Sequence, residues 1–129
     1  MADNKTEASI LRSIGATVHK NSGRGKYMKA DGHDDTFVID VKEAAKSFTL
    51  NTKVWDKICS DAYQVDPNKD PMLLVVLGGR KRLAIIDHYV LQALVDELTS
   101  TKAILEEVRT STKALLEEVR LNATQRWYD

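Results

Sequence analysis

The sequence predicts an α/β fold, a mixed β-sheet flanked by helices and followed by a long C-terminal helix. Three observations carry this expectation. Thr36–Lys42 is a run of β-branched and aromatic residues. Two further apolar runs, Met72–Leu77 and Arg82–Ile86, are separated by Gly78-Gly79-Arg80-Lys81, which reads as the turn of an antiparallel hairpin of central strands. Segments with the apolar period of a helix lie before, between and after these runs.

Taken in chain order, Lys5–Ile14 reads as a short helix with Ala8, Leu11 and Ile14 on one side, ended by Gly15. Ala16–Lys20 and Lys26–Ala30 read as two short strands around the turn-forming Asn21-Ser22-Gly23-Arg24-Gly25. Side chains alternate along a strand, so in Thr36–Lys42 the residues Phe37, Ile39 and Val41 share the face that requires a core. Val38, Asp40 and Lys42 share the other. Ser47–Leu50 is extended, and Asn51 or Thr52 caps a helix to about Gln64, whose buried stripe is Val54, Trp55, Ile58 and Ala62. Cys59 falls on the buried or half-buried side of that helix. Asp66–Pro71 holds both prolines and reads as a loop, and a final helix begins near Asp87 or His88.

The final helix contains a direct repeat. Thr99–Arg109 is TSTKAILEEVR and Thr110–Arg120 is TSTKALLEEVR, so Leu105, Val108, Leu116 and Val119 recur on one face. An 11-residue spacing favours straight or slightly right-handed packing, whereas a 7-residue reading through Leu98, Leu105, Thr112 and Val119 favours a left-handed coil. Both readings stay open at this stage, as does a solvated tail lengthened by duplication. The expected division is a core over 1–98 and a helical extension over 99–129.

Composition bounds the function classes. With 129 residues, 43% apolar and 29% charged, the chain fits one modest globular core. No apolar run approaches the roughly 20 residues of a membrane span, and MADNKTEAS lacks the apolar centre of a signal peptide. The single cysteine makes no internal disulfide, which suits a reducing cytoplasm. Basic and acidic residues balance at 19 each, but unevenly: Ala8–Ala30 carries Arg12, Lys20, Arg24, Lys26 and Lys29 and no acid. Arg80-Lys81-Arg82 is a second basic cluster. Local basic patches of this kind attract phosphates whatever the net charge.

Asp40-Val41-Lys42 is the motif that carries chemistry. An acid and a lysine two apart on a strand point the same way. Asp31 lies nine positions before Asp40 and can converge on it if the preceding segment pairs with the strand. Two carboxylates, water and phosphate oxygens make a hard oxygen site suited to Mg²⁺, with Mn²⁺ as a substitute. Lys42 can orient a water or stabilise transition-state charge. The plainer alternative is a solvated acid and lysine on an exposed face. Upstream, Ser22, Gly23, Arg24, Lys26 and Lys29 offer hydroxyl, backbone N–H and cationic groups to a DNA backbone, a contact that positions DNA without reading sequence. His19, His33 and His88 have no metal-ligand spacing, and His33 reads as a solvated turn residue. Asp34 and Asp35 read as the turn before the strand, and Trp127 and Tyr128 as a frayed end.

The run SGRGKYMKADGHDDTFVIDVKEAAKSFTL resembles the core of PD-(D/E)XK nucleases, most closely the small phage and archaeal Holliday junction resolvases. Ser22-Gly23 matches their loop, Lys29-Ala30-Asp31 matches K-G-D with Ala for Gly, and Asp40-Val41-Lys42 matches E-x-K with Asp for Glu. The resemblance covers roughly Glu7–Ile86. It implies a restriction-endonuclease-like core and a Mg²⁺-dependent DNA endonuclease with Asp31, Asp40 and Lys42 catalytic. Asp31 and Asp40 would hold the metal, joined by Glu7 from the first helix, unless Glu7 is simply an acid favoured by the helix dipole. It further implies hydrolysis by in-line water attack, leaving a 5′-phosphate and a 3′-hydroxyl. Four-way junctions or other branched DNA would be the substrate. Two symmetric cuts imply a twofold homodimer, and a phage origin would place it in a bacterial host's cytoplasm. The alternatives are a restriction-like, homing or repair nuclease of the same fold, and a non-catalytic DNA-binding or assembly protein.

Overall fold

The computed structural model describes residues 4–19 and 29–126. The element order is α1 (Asn4–Ser13), β1 (Thr17–Val18), β2 (Gly32–His33), β3 (Phe37–Ala44), α2 (Thr52–Val65), β4 (Asp70–Leu77), β5 (Lys81–Ile85) and α3 (His88–Arg126). Among the described residues the five strands form one mixed sheet in the order β1-β2-β3-β4-β5. The β3–β4 pair is parallel and the others are antiparallel. The chain divides into compact units over Met1–His88 and Tyr89–Asp129. The expected boundary at 98/99 falls inside α3, which runs unbroken past it.

Parallel pairing explains why β3 is buried on both faces. Joining parallel neighbours needs a crossover, here α2, which covers one face of the sheet. Phe37, Ile39 and Val41 are buried as expected, and Val38 is buried too, packed on Ala62 of α2. Ile58 of α2 packs against Leu73 and Val75, joined by Val54 and Trp55. Asn51 caps α2, its side-chain oxygen accepting from the Val54 N–H at 2.9 Å.

Several expectations are corrected. The buried residues of α1 are Ile10 and Leu11, while Ile14 lies beyond the helix end and is exposed. The second strand is Gly32–His33; Lys29 and Ala30 form a bend, and the rest of the expected Lys26–Ala30 strand lies outside the described residues. Pro71 is in β4 rather than in a loop. The Asp70 N–H reaches β3 through the Thr36 carbonyl, so the next residue's amide side faces β5, where pairing starts only at Leu73. A missing N–H therefore breaks no ladder bond there. The hairpin forms as expected, with Gly78 and Gly79 at φ +60° and +73°. Its second strand β5, however, is the sheet edge, with Lys81–Ala84 exposed.

Gly32 fixes where Asp31 sits. A Cβ at this position would lie 2.6 Å from the Thr17 carbonyl oxygen and about 3.0 Å from the Leu11 side chain. Only glycine lets β2 approach β1 and α1 this closely. Within the described residues no helix is long and apolar enough to cross a membrane.

Candidate metal centre

Short antiparallel pairing carries Asp31 to the middle of β3. Gly32 opposes Ile39, and the Asp31 N–H donates to the Ile39 carbonyl at 3.0 Å. The Asp31 side chain then accepts from the Val41 N–H through Oδ2 at 2.7 Å. This places its carboxylate near Asp40, whose proton affinity it raises. The nine-residue separation is thus closed by one turn. In that turn Asp34 Oδ1 accepts from the Thr36 and Phe37 N–H groups at 2.8 and 2.7 Å.

Asp40 faces α2, in register with Leu73, while its neighbours Ile39 and Val41 are buried on the opposite face. Its side chain is only 17% exposed. Lys42, two residues on, brings Nζ to 3.2 Å from Asp40 Oδ2. The approach lacks hydrogen-bond alignment, so Oδ2 is a buried oxygen without a hydrogen-bond partner among the described residues. Burial pushes the Asp40 carboxyl up to about 6; Lys42 opposes this and Asp31 reinforces it.

Glu7 completes the group from the first turn of α1. It is half-buried and near Asp31. Burial, then the charge of Asp31, then Asp40, push it up to about 7. The structure therefore brings Glu7, Asp31, Asp40 and Lys42 together. A helix-start acid favoured by the dipole alone would not show these neighbours.

No family model, curated protein or solved structure matches the chain. What the site can do follows from its own chemistry. Three carboxylates are hard oxygen donors, and two of them, Glu7 and Asp40, hold protons more tightly than free carboxyls, first because they are buried and then because negative charge lies nearby. A divalent cation offsets that charge. Among the described residues no three His, Cys, Asp or Glu side chains already enclose a metal-sized site. Mg²⁺ ordinarily binds through one or two carboxylates and keeps several waters, so the chemistry of the donor set fits it.

A cleft of about 210 Å³ opens beside Asp40 between β3 and α2. Lys29, Lys42, Lys57 and Asp61 supply its charged wall together with Asp40. Lys57 and Asp61 pair at 2.8 Å one helical turn apart, and Lys29 reaches Asp61 at 3.9 Å. The hydrogen bond to Asp61 raises the Lys57 pKa. Sequence reasoning missed Lys57 and Asp61. Each sits next to a buried stripe residue, Ile58 and Ala62, but nothing local says which strand residues those neighbours face.

Of the residues expected to hold DNA, only Lys29 can be placed; Ser22, Gly23, Arg24 and Lys26 lie outside the described residues, as do Trp127 and Tyr128. His33 is corrected. It is a half-buried β2 residue, not a solvated turn, and its Nδ1 lies 2.7 Å from Nε2 of the buried His19. His19 Nδ1 sits 2.9 Å from the Ala30 carbonyl. Burial lowers the His19 pKa, and the two rings prop the turn that carries Asp31.

Proposed function

We propose that the protein is a Mg²⁺-dependent DNA endonuclease with a restriction-endonuclease-like core. Its expected substrate is branched DNA, four-way junctions foremost. The observation that carries this reading is the neighbourhood of Glu7, Asp31 and Asp40, with the buried Asp40 Oδ2 ion-paired, among the described residues, only to Lys42, two residues along the same strand. The mixed sheet with its parallel β3–β4 crossover agrees with the fold that the Asp31…Asp40-x-Lys42 pattern implies.

Asp31 and Asp40 would hold the metal, with Glu7 from α1. Bound there, Mg²⁺ supplies charge neutralisation at a phosphate oxygen and acidifies water. The Val41 amide fixes the Asp31 carboxylate, which leaves its Oδ1 for the site. Lys42, partly exposed and within 3.2 Å of Asp40, is placed to orient an attacking water and to offset negative charge at the phosphorus. Lys29 and Lys57 on the cleft wall can take flanking phosphates, which positions a backbone without reading bases.

The deciding experiment is cleavage of synthetic four-way junction, fork and duplex DNA with and without Mg²⁺. Junction cleavage that vanishes in Asp40→Asn and Lys42→Ala, with binding retained, is expected. Wild-type rates in Asp40→Asn would sink the assignment. Preferential cutting of linear duplex would retain the nuclease and remove the junction. Binding without cleavage under any metal would leave a non-catalytic DNA-binding protein.

A further inference from the structure

The helix α3 spans 39 residues, and every residue from Leu91 to Arg126 is exposed. Most of its exposed apolar side chains follow one seam, with Val95, Ile104 and Leu116 flanking it and Leu121 outside it. Starting a heptad at Leu91 as position a puts Leu91, Leu98, Leu105, Thr112 and Val119 at a, and Leu94, Thr101, Val108, Leu115 and Asn122 at d. The apolar members of this seam are between 36% and 60% exposed. The opposite position f reads Asp96, Ala103, Thr110, Glu117 and Thr124, with no large apolar residue. An a/d seam of this kind, sustained over more than four heptads, is the requirement for a two-stranded coiled coil.

The residues flanking the seam decide the occupant and its direction. In a parallel pair a g residue faces the e residue five positions later on the other helix. Glu97 then meets Lys102 of the second copy, twice by symmetry. The remaining pairs, Ile104 with Arg109, Ser111 with Leu116 and Glu118 with Ala123, set no like charges together. In an antiparallel pair that keeps the threonine layers matched, Thr101 against Thr112, the flanking residues instead pair e with e and g with g. Lys102 then faces Arg109, and Glu97 faces Glu118, each twice. That arrangement also buries Asn122 against Leu91, whereas the parallel one sets Asn122 against Asn122, where the two amides can bond.

We propose that α3 is a parallel, in-register coiled coil with a second copy of this chain, and that the 11-residue repeat extends this seam. The proposal stands apart from the nuclease reading, since it uses no residue of the carboxylate site.

The test uses the full chain. Light scattering at micromolar concentration is expected to give twice the chain mass of 14.5 kDa. Leu105→Glu on the seam should give a monomer, and Thr110→Glu on the opposite side should not. Glu97→Lys should weaken association several-fold, and adding Lys102→Glu should restore it. With Cys59→Ser removing the native thiol, Thr112→Cys should cross-link between copies under oxidised glutathione. A monomer or trimer in the wild type, an unchanged mass in Leu105→Glu, or a Thr112→Cys dimer that does not cross-link would each overturn the proposal.

Discussion

Neutralising Asp40 should make the metal-free protein more stable while removing the function proposed for it. The perturbation is Asp40→Asn, which keeps the shape and removes the charge. The Asp40 carboxyl is pushed up to about 6 from an ordinary 3.8, with burial as the largest cause. An acid whose folded pKa lies above its unfolded pKa binds more protons when folded. Its contribution is therefore favourable at low pH and is lost as pH rises through the folded value. Each unit corresponds to about 1.4 kcal/mol, so ionised Asp40 costs the fold up to about 3 kcal/mol near pH 8. Residual solvent access and the ion pair with Lys42 make that a ceiling, and about 1–3 kcal/mol is the working range.

The assay is urea unfolding with EDTA at pH 8 and at pH 5. At pH 8 Asp40→Asn should move the midpoint upward. At pH 5 the gain should shrink, because the wild-type carboxyl is then largely protonated. Glu7, pushed up to about 7, adds to the same trend, so the wild type itself should lose stability from pH 5 to pH 8. A lower midpoint for Asp40→Asn at pH 8 would refute the claim that this carboxylate is buried under like charge.

Three further outcomes follow from the geometry. Mg²⁺ should raise the melting temperature of the wild type in a concentration-dependent way and leave Asp40→Asn unmoved, as binding to the folded state alone requires; equal shifts in both would place the ion elsewhere. Gly32→Ala should destabilise by about 1–3 kcal/mol, because the new Cβ meets the Thr17 carbonyl at 2.6 Å and the backbone must shift; an unchanged unfolding midpoint would contradict the packing. Replacing Lys29 and Lys57 with alanine should weaken DNA binding and lower the slope of log affinity against log salt by about one to two counterions; an unaltered slope would remove the cleft from the DNA path.

The elements and the site were legible to different depths. β3, the β4–β5 hairpin and α2 announce themselves through local pattern: β-branched runs, a Gly-Gly turn, and an Asn51 cap before a periodic stripe. The Asp40–Lys42 pair is legible for the same reason, since spacing along a strand fixes direction. Asp31 and Glu7 are different. Their approach to Asp40 depends on a two-residue strand and on the turn of α1, neither of which has a strong local signature. Asp31 could be singled out only on the condition that its segment pairs with β3, and Glu7 only through the resemblance to a nuclease motif. Pro71 was misplaced because pattern does not show which amide lacks a partner, and Val38, on its expected face, is buried because a crossover helix covers that face. Lys57, Asp61 and the His19–His33 contact are purely tertiary.

The location of the site within the sheet explains how the fold tolerates it. β3, like β4, is buried on both sides, and Ile39 and Val41 bracket Asp40 with no more than 1% exposure. In-register Leu73 on β4 is also fully covered. A carboxylate buried this far is costly even beside a lysine. At the sheet edge, the strain of like charge could be relieved by moving β5 or fraying an end. In the middle of a parallel pair the backbone is held from both neighbours, so relief has to come from a proton or from a cation. Rigidity of the strand thus keeps Asp40 buried with its raised proton affinity rather than loosening the sheet. For the proposed Mg²⁺ site, a strand held in this way would favour a small cation with strict oxygen geometry over one that accepts a loose shell.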